Sequence, residues 1–238
     1  MDTLSEHQRE AIEQYFALVS RCPDLFTGRE RRPVVLDREV LEAHVAGTDV
    51  VLGVVARTPY LWMLNDLVES SSGTGTLRHP YLRVIRPPGF EAVRGVAVLA
   101  TVELPDGSGP GVVLVEQDRH ATGGTELEIP RGFGVPGVDS ARQALDELVT
   151  ESGYVGEDIT RLGTLMVDSG SSDSLVDFFH VAVQRRTEAA PEPEEAIAGV
   201  VVLPLDTVWE NVFQGVVRDG FTVQALALYQ QSLLRKGL

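Results

Sequence analysis

The residues with the most chemistry in this chain lie in one stretch, GFGVPGVDSARQALDELVTESGY, residues 132–154. Glu147 and Glu151 are four positions apart, and on a helix that spacing brings both carboxylates to one face, one turn from each other. Like charges so placed repel, and a hard divalent cation turns the repulsion into attraction. The plain alternative is a solvated helix face with two glutamates. The preceding bend, PRGFGVPG (130–137), favours a ligand, because glycines let backbone carbonyls and amides approach one closely.

The pair needs a helix to carry it, and the local signals give one over 140–152. Ser140 with Gln143 three residues on makes a capping box, and Asp139 adds a favourable charge at the helix start. Gly153 suits the left-handed residue that ends a helix. At ~100° per residue, Ala141, Ala144, Leu145, Leu148 and Ser152 form a face fit to pack on a sheet. Gln143, Glu147, Thr150 and Glu151 form a second stripe.

That sheet is expected from the β-branched runs on either side, at 81–86, 92–104, 111–120, 125–130, 161–168, 175–184 and 199–205. PDGSGPG (105–111) punctuates a hairpin, and the acidic EAAPEPEEA (188–196) is an exposed loop. Two helices, about 206–217 and 222–235, close the chain. The pattern predicts an α/β or α+β sandwich with a mixed sheet. The first 75 residues read as a mostly helical region, with helices over 5–18, 37–45 and 59–69 and a short strand over 49–56. SSSGTGT (70–76) reads as a linker or mobile loop, so a boundary is placed near residue 75.

The totals narrow the partners. With 238 residues, 43% hydrophobic and 23% charged, the chain has the makings of a substantial core. A formal net charge of −15 repels phosphate backbones, so nucleic acid is not an expected partner. Polyanionic small molecules would need a divalent cation to screen the carboxylates. Cys22 is the only cysteine, which excludes an internal disulfide and a thiolate zinc cluster. No apolar run is long enough to span a bilayer, and the polar N-terminus is neither a secretory signal nor a transit peptide. A cytoplasmic location, with no membrane partner, is the expectation.

Laid out from Gly132, the stretch resembles the Nudix box, with Gly132, Glu147, Leu148, Glu151, Gly153 and Tyr154 in matching places. It departs at Val138 and Thr150, where the family pattern has glutamate, and at Asp146, where it has arginine. LEIPRG (127–132) and LGTLMVDSGSSDSLVDFFHVAV (162–183) are similar to the branch that hydrolyses ADP-ribose and nucleotide sugars. The resemblance covers about residues 80 to 238. It implies a Nudix-type α/β/α sandwich that hydrolyses a diphosphate linkage with Mg²⁺ or Mn²⁺. Carried over, it makes Glu147 and Glu151 metal ligands, joined by the Arg131 backbone carbonyl, with Glu128 facing the site from its strand.

In that branch the general base comes from a loop after the box; Glu188, Glu192, Glu194 and Glu195 are the candidates, and Glu194 and Glu195 are carried forward. Ser174 stands where an acid would otherwise serve. Arg119, His120, Arg131 and Gly132 are the expected contacts to a phosphorylated small molecule. His180 reads as a satisfied core histidine, while Tyr60 and Trp62 read as packing for the N-terminal region. Relatives of this kind form homodimers. Two other readings stand beside hydrolysis of a nucleoside diphosphate derivative: a non-catalytic nucleotide-binding module, and an enzyme acting on a phosphorylated biosynthetic intermediate.

Overall fold

The computed structural model describes residues 3–73, 75–90 and 92–237. They form two compact units: Met1–Ala92 with Asp168–Asp173, and Val93–Val167 with Ser174–Leu238.

The first unit begins with helix α1 (Glu6–Arg21), held at its start by a reciprocal Ser5–Gln8 capping box. A 3₁₀ turn (Pro23–Phe26) and helix α2 (Arg38–Val45), capped by Asp37, follow. From there strands take over: β1 (Gly53–Arg57), β2 (Trp62–Ser72) and β3 (Gly75–Ile85) make an antiparallel three-stranded sheet. The helix expected over 59–69 is therefore strand β2. A short apolar run fits either period, and pairing on both edges decides it, Leu64 with Val54 and with Arg83. Ser70–Gly75 is likewise no linker: Ser70 pairs with Leu77 and Ser72 with Gly75 at the end of the β2–β3 hairpin, while Thr74 lies outside the described residues. The units part after Ala92, whereas the boundary expected near 75 falls inside this hairpin. Tyr15, Ile12, Leu41, Leu52, Leu64 and Leu67 fill the core between helices and sheet.

The second unit is built on β4 (Gly95–Glu103), β5 (Pro110–Arg119), β6 (Gly124–Glu128), β7 (Arg131–Gly132), helix α3 (Ser140–Ser152), β8 (Tyr154–Val155), β9 (Ile159–Met166), β10 (Leu175–Ala182), β11 (Arg185–Arg186), β12 (Ile197–Pro204), α4 (Leu205–Phe213) and α5 (Gly220–Lys236). The main sheet runs β12-β5-β4-β10-β9, with β6 paired to β5 and β7 to β4; β8 and β11 pair separately. Only β4 and β10 are parallel among its pairs, so the sheet is mixed.

Strand β4 is buried on both faces, and its alternation sorts the layers. Val96, Val98 and Ala100 pack with Ala144 and Leu148 of α3. Ala97 and Leu99 pack with Val208 of α4 and Ala225, Leu226 and Tyr229 of α5. The result is a sandwich with a mixed sheet, as the strand pattern predicts, in the α/β/α layering that the resemblance implies. No helix among the described residues is long and apolar enough to cross a membrane.

Helix α3 has the expected span, with a different start. Asp139 is the N-cap, accepting from the amides of Ala141 at 3.0 Å and Arg142 at 3.2 Å. Ser140 is the first helical residue, so the Ser140–Gln143 box does not form. Gly153 ends the helix at φ 73°, and a Cβ there would collide with the backbone of residues 187–189. Because Leu148 is fully buried against the sheet, Leu148→Ala is expected to lower the unfolding free energy by about 2–5 kcal/mol. Urea unfolding checks this, with the exposed Arg142→Ala shifting stability by less than about 1 kcal/mol.

Candidate metal and substrate site

Helix α3 puts Glu147 and Glu151 on the same side, next to the β7 segment. Arg131 donates its backbone amide to Glu151 Oε2 at 3.2 Å, and Gln143 donates its side-chain amide to Glu147 Oε1 at 2.7 Å. The Glu147 carboxylate lies where a Cβ on Gly132 would stand. The third acid comes from the loop before β12. There a 3₁₀ turn (Pro193–Glu195) ends at Ala196, whose φ of 52° is in the left-handed region. Gln117 donates to the Glu195 carbonyl at 2.6 Å and Asp118 to the Ala196 carbonyl at 3.1 Å, tying this turn to β5. One carboxylate oxygen each from Glu147, Glu151 and Glu195 lie within 4.8 Å of one another.

Burial and like charge act together on these acids. Glu151, 2% exposed, is pushed up to about 8, by burial first and then by Glu195 and Glu147. Glu147 is pushed up as well, again chiefly by burial, which the Gln143 hydrogen bond partly offsets. Three carboxylate oxygens converging on one point, two of them from acids with raised proton affinity, fit a hard divalent cation.

A second group of charges lies beside the cluster with the opposite balance. Glu128, on β6, accepts a two-pronged ion pair from Arg119 at 2.8 and 2.6 Å, and a further pair from Arg131 at 2.8 Å. Burial opposes ionisation of Glu128, but the two arginines outweigh it and hold its carboxyl below the usual range. The Arg131 guanidinium also lies 4.3 Å from the Phe221 ring centroid and 3.9 Å from Asp219. Asp219 caps α5 through the Thr222 amide at 2.8 Å, and the Thr222 hydroxyl accepts from the Ile129 amide at 3.0 Å. The N-terminus of α5 is thereby fixed to the β6–β7 connection.

The structure thus brings Glu147, Glu151 and Glu195 together, with Gly132 and the Arg131 backbone against them. Glu128 is not in the cluster: its carboxylate is engaged by the guanidinium groups of Arg119 and Arg131. Glu194 is exposed and outside the cluster, as are Glu188 and Glu192. Arg119 is anchored on Glu128. His120 is exposed in the turn that follows β5. His180 stacks on Tyr229 at 4.5 Å, with a ring nitrogen 2.9 Å from the Thr101 hydroxyl. Trp62 packs on the core of the first unit, and Tyr60 is 66% exposed.

The three departures from the box have local explanations in two cases. Asp146 pairs with Arg142 at 2.8 Å on the outer face of α3, away from the cluster. Val138 is exposed, at 42%. Nothing in the structure explains Thr150 beyond its carbonyl, which accepts from the Ala190 amide at 2.9 Å. Sequence reasoning missed the Arg131–Phe221–Asp219 contact. The Asp219-Gly220-Phe221-Thr222 run carries a helix-cap signal, but nothing in it names Arg131 as a neighbour.

No protein-family model matches the chain. It is 27% identical over 166 residues to the methanol dehydrogenase activator of Bacillus methanolicus, covering 69% of this chain and 82% of that protein. It is 31% identical over 93 residues to the ADP-ribose pyrophosphatase of Saccharomyces cerevisiae, which spans 39% of each chain. A solved structure described as an ADP compounds hydrolase superposes with a TM-score of 0.59 at 22% identity, covering 77% of this chain and 92% of the other. The sandwich and the box residues resemble those of a Nudix-type protein. The superposition shows a shared fold, and the two sequence relatives are what the chain is similar to.

The raised proton affinity of Glu151 sets a pH dependence. The folded state holds a proton that an unfolded glutamate, with its ordinary affinity, releases near pH 4.3. The resulting stability is present below that value and is lost as pH rises through about 8. In EDTA, urea unfolding at pH 5, 7 and 9 is expected to show this fall, and Glu151→Gln is expected to flatten it. A decline equally steep in the variant would remove Glu151 as its source.

Proposed function

We propose that the protein is a divalent-metal-dependent pyrophosphohydrolase that splits the diphosphate linkage of a nucleoside diphosphate derivative of the ADP-ribose or nucleotide-sugar type. The convergence of Glu147, Glu151 and Glu195 carries this reading, because a pair kept at one-turn spacing gains a third acid from a loop fixed to the sheet. The names of the Saccharomyces cerevisiae relative and of the superposed hydrolase support the substrate class.

Glu147 and Glu151 would hold Mg²⁺ or Mn²⁺ as oxygen donors. The bound cation would supply charge neutralisation on the phosphoryl oxygens and orientation of a water. Glu195 is the acid placed to take the proton of the attacking water, since it reaches the same point from a different element. Arg119, held in plane by Glu128, presents fixed donors for a phosphate oxygen of the substrate. Arg131, stacked on Phe221, limits the space beside that phosphate. Gly132 keeps the backbone close to Glu147.

Initial rates on ADP-ribose and a panel of nucleotide sugars with Mg²⁺ or Mn²⁺ test the proposal. Glu151→Gln and Glu195→Gln are each expected to lose on the order of 100-fold or more in kcat. The exposed Glu194→Gln should keep the wild-type rate. An undiminished rate in Glu151→Gln would remove the catalytic assignment. Absence of turnover across the panel would favour a nucleotide-binding module.

A further inference from the structure

The first unit contains a cavity of about 460 Å³, lined by the 28–34 loop and by strands β2 and β3. Its charge is opposite to that of the chain. Arg29, Arg31, Arg32 and Arg83 line it against two carboxylates, Glu30 and Asp66, in a protein of net charge −15. Asp173, 3.7 Å from Arg29, answers one further charge.

Arg83 is the informative member. Its side chain is 8% exposed, and its Nε donates to Asp66 Oδ2 at 2.5 Å. The other Asp66 oxygen accepts from the Tyr15 hydroxyl. Both terminal nitrogens of Arg83, Nη1 and Nη2, are buried without a hydrogen-bond acceptor. The guanidinium carbon lies 5.2 Å from the Phe26 ring centroid, which gives the cation a π face but gives its N–H groups nothing to donate to. Buried donors on a charged group are costly to leave unmade, so such a pair signals an absent acceptor. Arg31 and Arg32 are exposed and make no ion pair among the described residues, whereas Arg29 is already committed to the Leu25 and Thr27 carbonyls at 2.9 Å each. Val68 and the ring of Tyr81, whose hydroxyl donates to the Gly170 carbonyl at 2.7 Å, add an apolar wall.

We propose that this cavity is a second anion site, separate in residues from the carboxylate cluster, which takes the phosphate group of a phosphorylated small molecule on Arg83, Arg31 and Arg32. A forked guanidinium matches a tetrahedral oxyanion, and the excess of positive charge on the lining suits a doubly charged group. The cavity volume leaves room for an organic body against Val68 and Tyr81.

Calorimetric titration of the full chain with inorganic phosphate, in EDTA, tests this without reference to hydrolysis. Neither a divalent cation nor a diphosphate is present, so failure of the catalytic reading leaves the result interpretable. Arg31→Ala/Arg32→Ala, confined to exposed side chains, is expected to weaken phosphate binding about tenfold or more. Arg83→Lys, which keeps a cation beside Asp66 but removes both terminal guanidinium nitrogens, should weaken it likewise, and the double variant decides the matter if Arg83→Lys does not fold. Arg119→Ala should leave the affinity unchanged, and acetate should bind about tenfold less tightly than phosphate. No heat of binding up to about 10 mM phosphate, undiminished binding in the double variant, loss of binding in Arg119→Ala, or equal affinity for acetate would each overturn the proposal.

Discussion

Three carboxylates within 4.8 Å of one another are the constraint around which the second unit is arranged. Like charges this close repel, and Glu151 is too buried for water to supply the screening. The fold nevertheless holds them together from two separate elements. Helix α3 is fixed by the Asp139 cap, by Leu148 in the core and by the Gly153 stop. The Glu195 turn is fixed by Gln117 and Asp118 of β5. Gly132 gives up its side chain so that Glu147 can sit against the backbone. Each of these features is a local cost or restriction that makes sense through the cluster it serves.

The neighbouring Arg119–Glu128–Arg131 group shows how the unit keeps cations near without letting them quench the site. An arginine free to swing into the cluster would pair with Glu151 and occupy the place a divalent ion would take. Glu128 prevents this by engaging both guanidinium groups, and Phe221 and Asp219 constrain Arg131 further. The loss of box residues at Val138 and Asp146 reads in the same light. Asp146 is answered on the outer face by Arg142, so no charge is stranded where the family pattern's arginine would have stood.

Much of this was legible in the sequence, for identifiable reasons. The Glu147–Glu151 spacing, the α3 span and its Gly153 end follow from helix geometry alone, and the sheet strands follow from β-branched runs. Strand β2 was not legible, because WMLNDLV satisfies a helical period as well as a strand, and only its partners on both edges settle the matter. Glu195 could not be separated from Glu188, Glu192 and Glu194, since four acids in one loop differ by backbone direction and not by type. Glu128 was illegible for a different reason. Its position next to the bend suggested a ligand, whereas arginines distant by nine and three residues claim it, and long-range pairing leaves no periodic mark.

The two units pose the same electrostatic problem with opposite sign. In the second, acids converge and, with burial the larger cause, push up the proton affinity of Glu151; in the first, arginines converge and leave the two buried terminal nitrogens of Arg83 without acceptors. Folding alone rewards neither, because hydrophobic residues of equal volume would pack at less electrostatic cost. The buried Asp66 stabilises the Arg83 charge through one nitrogen and Tyr15 fixes Asp66, yet neither addresses the terminal nitrogens. A chain that carries an excess of fifteen negative charges has little general reason to collect four arginines around one cavity. The proposed anion would account for that concentration, as a bound cation would for the acid cluster.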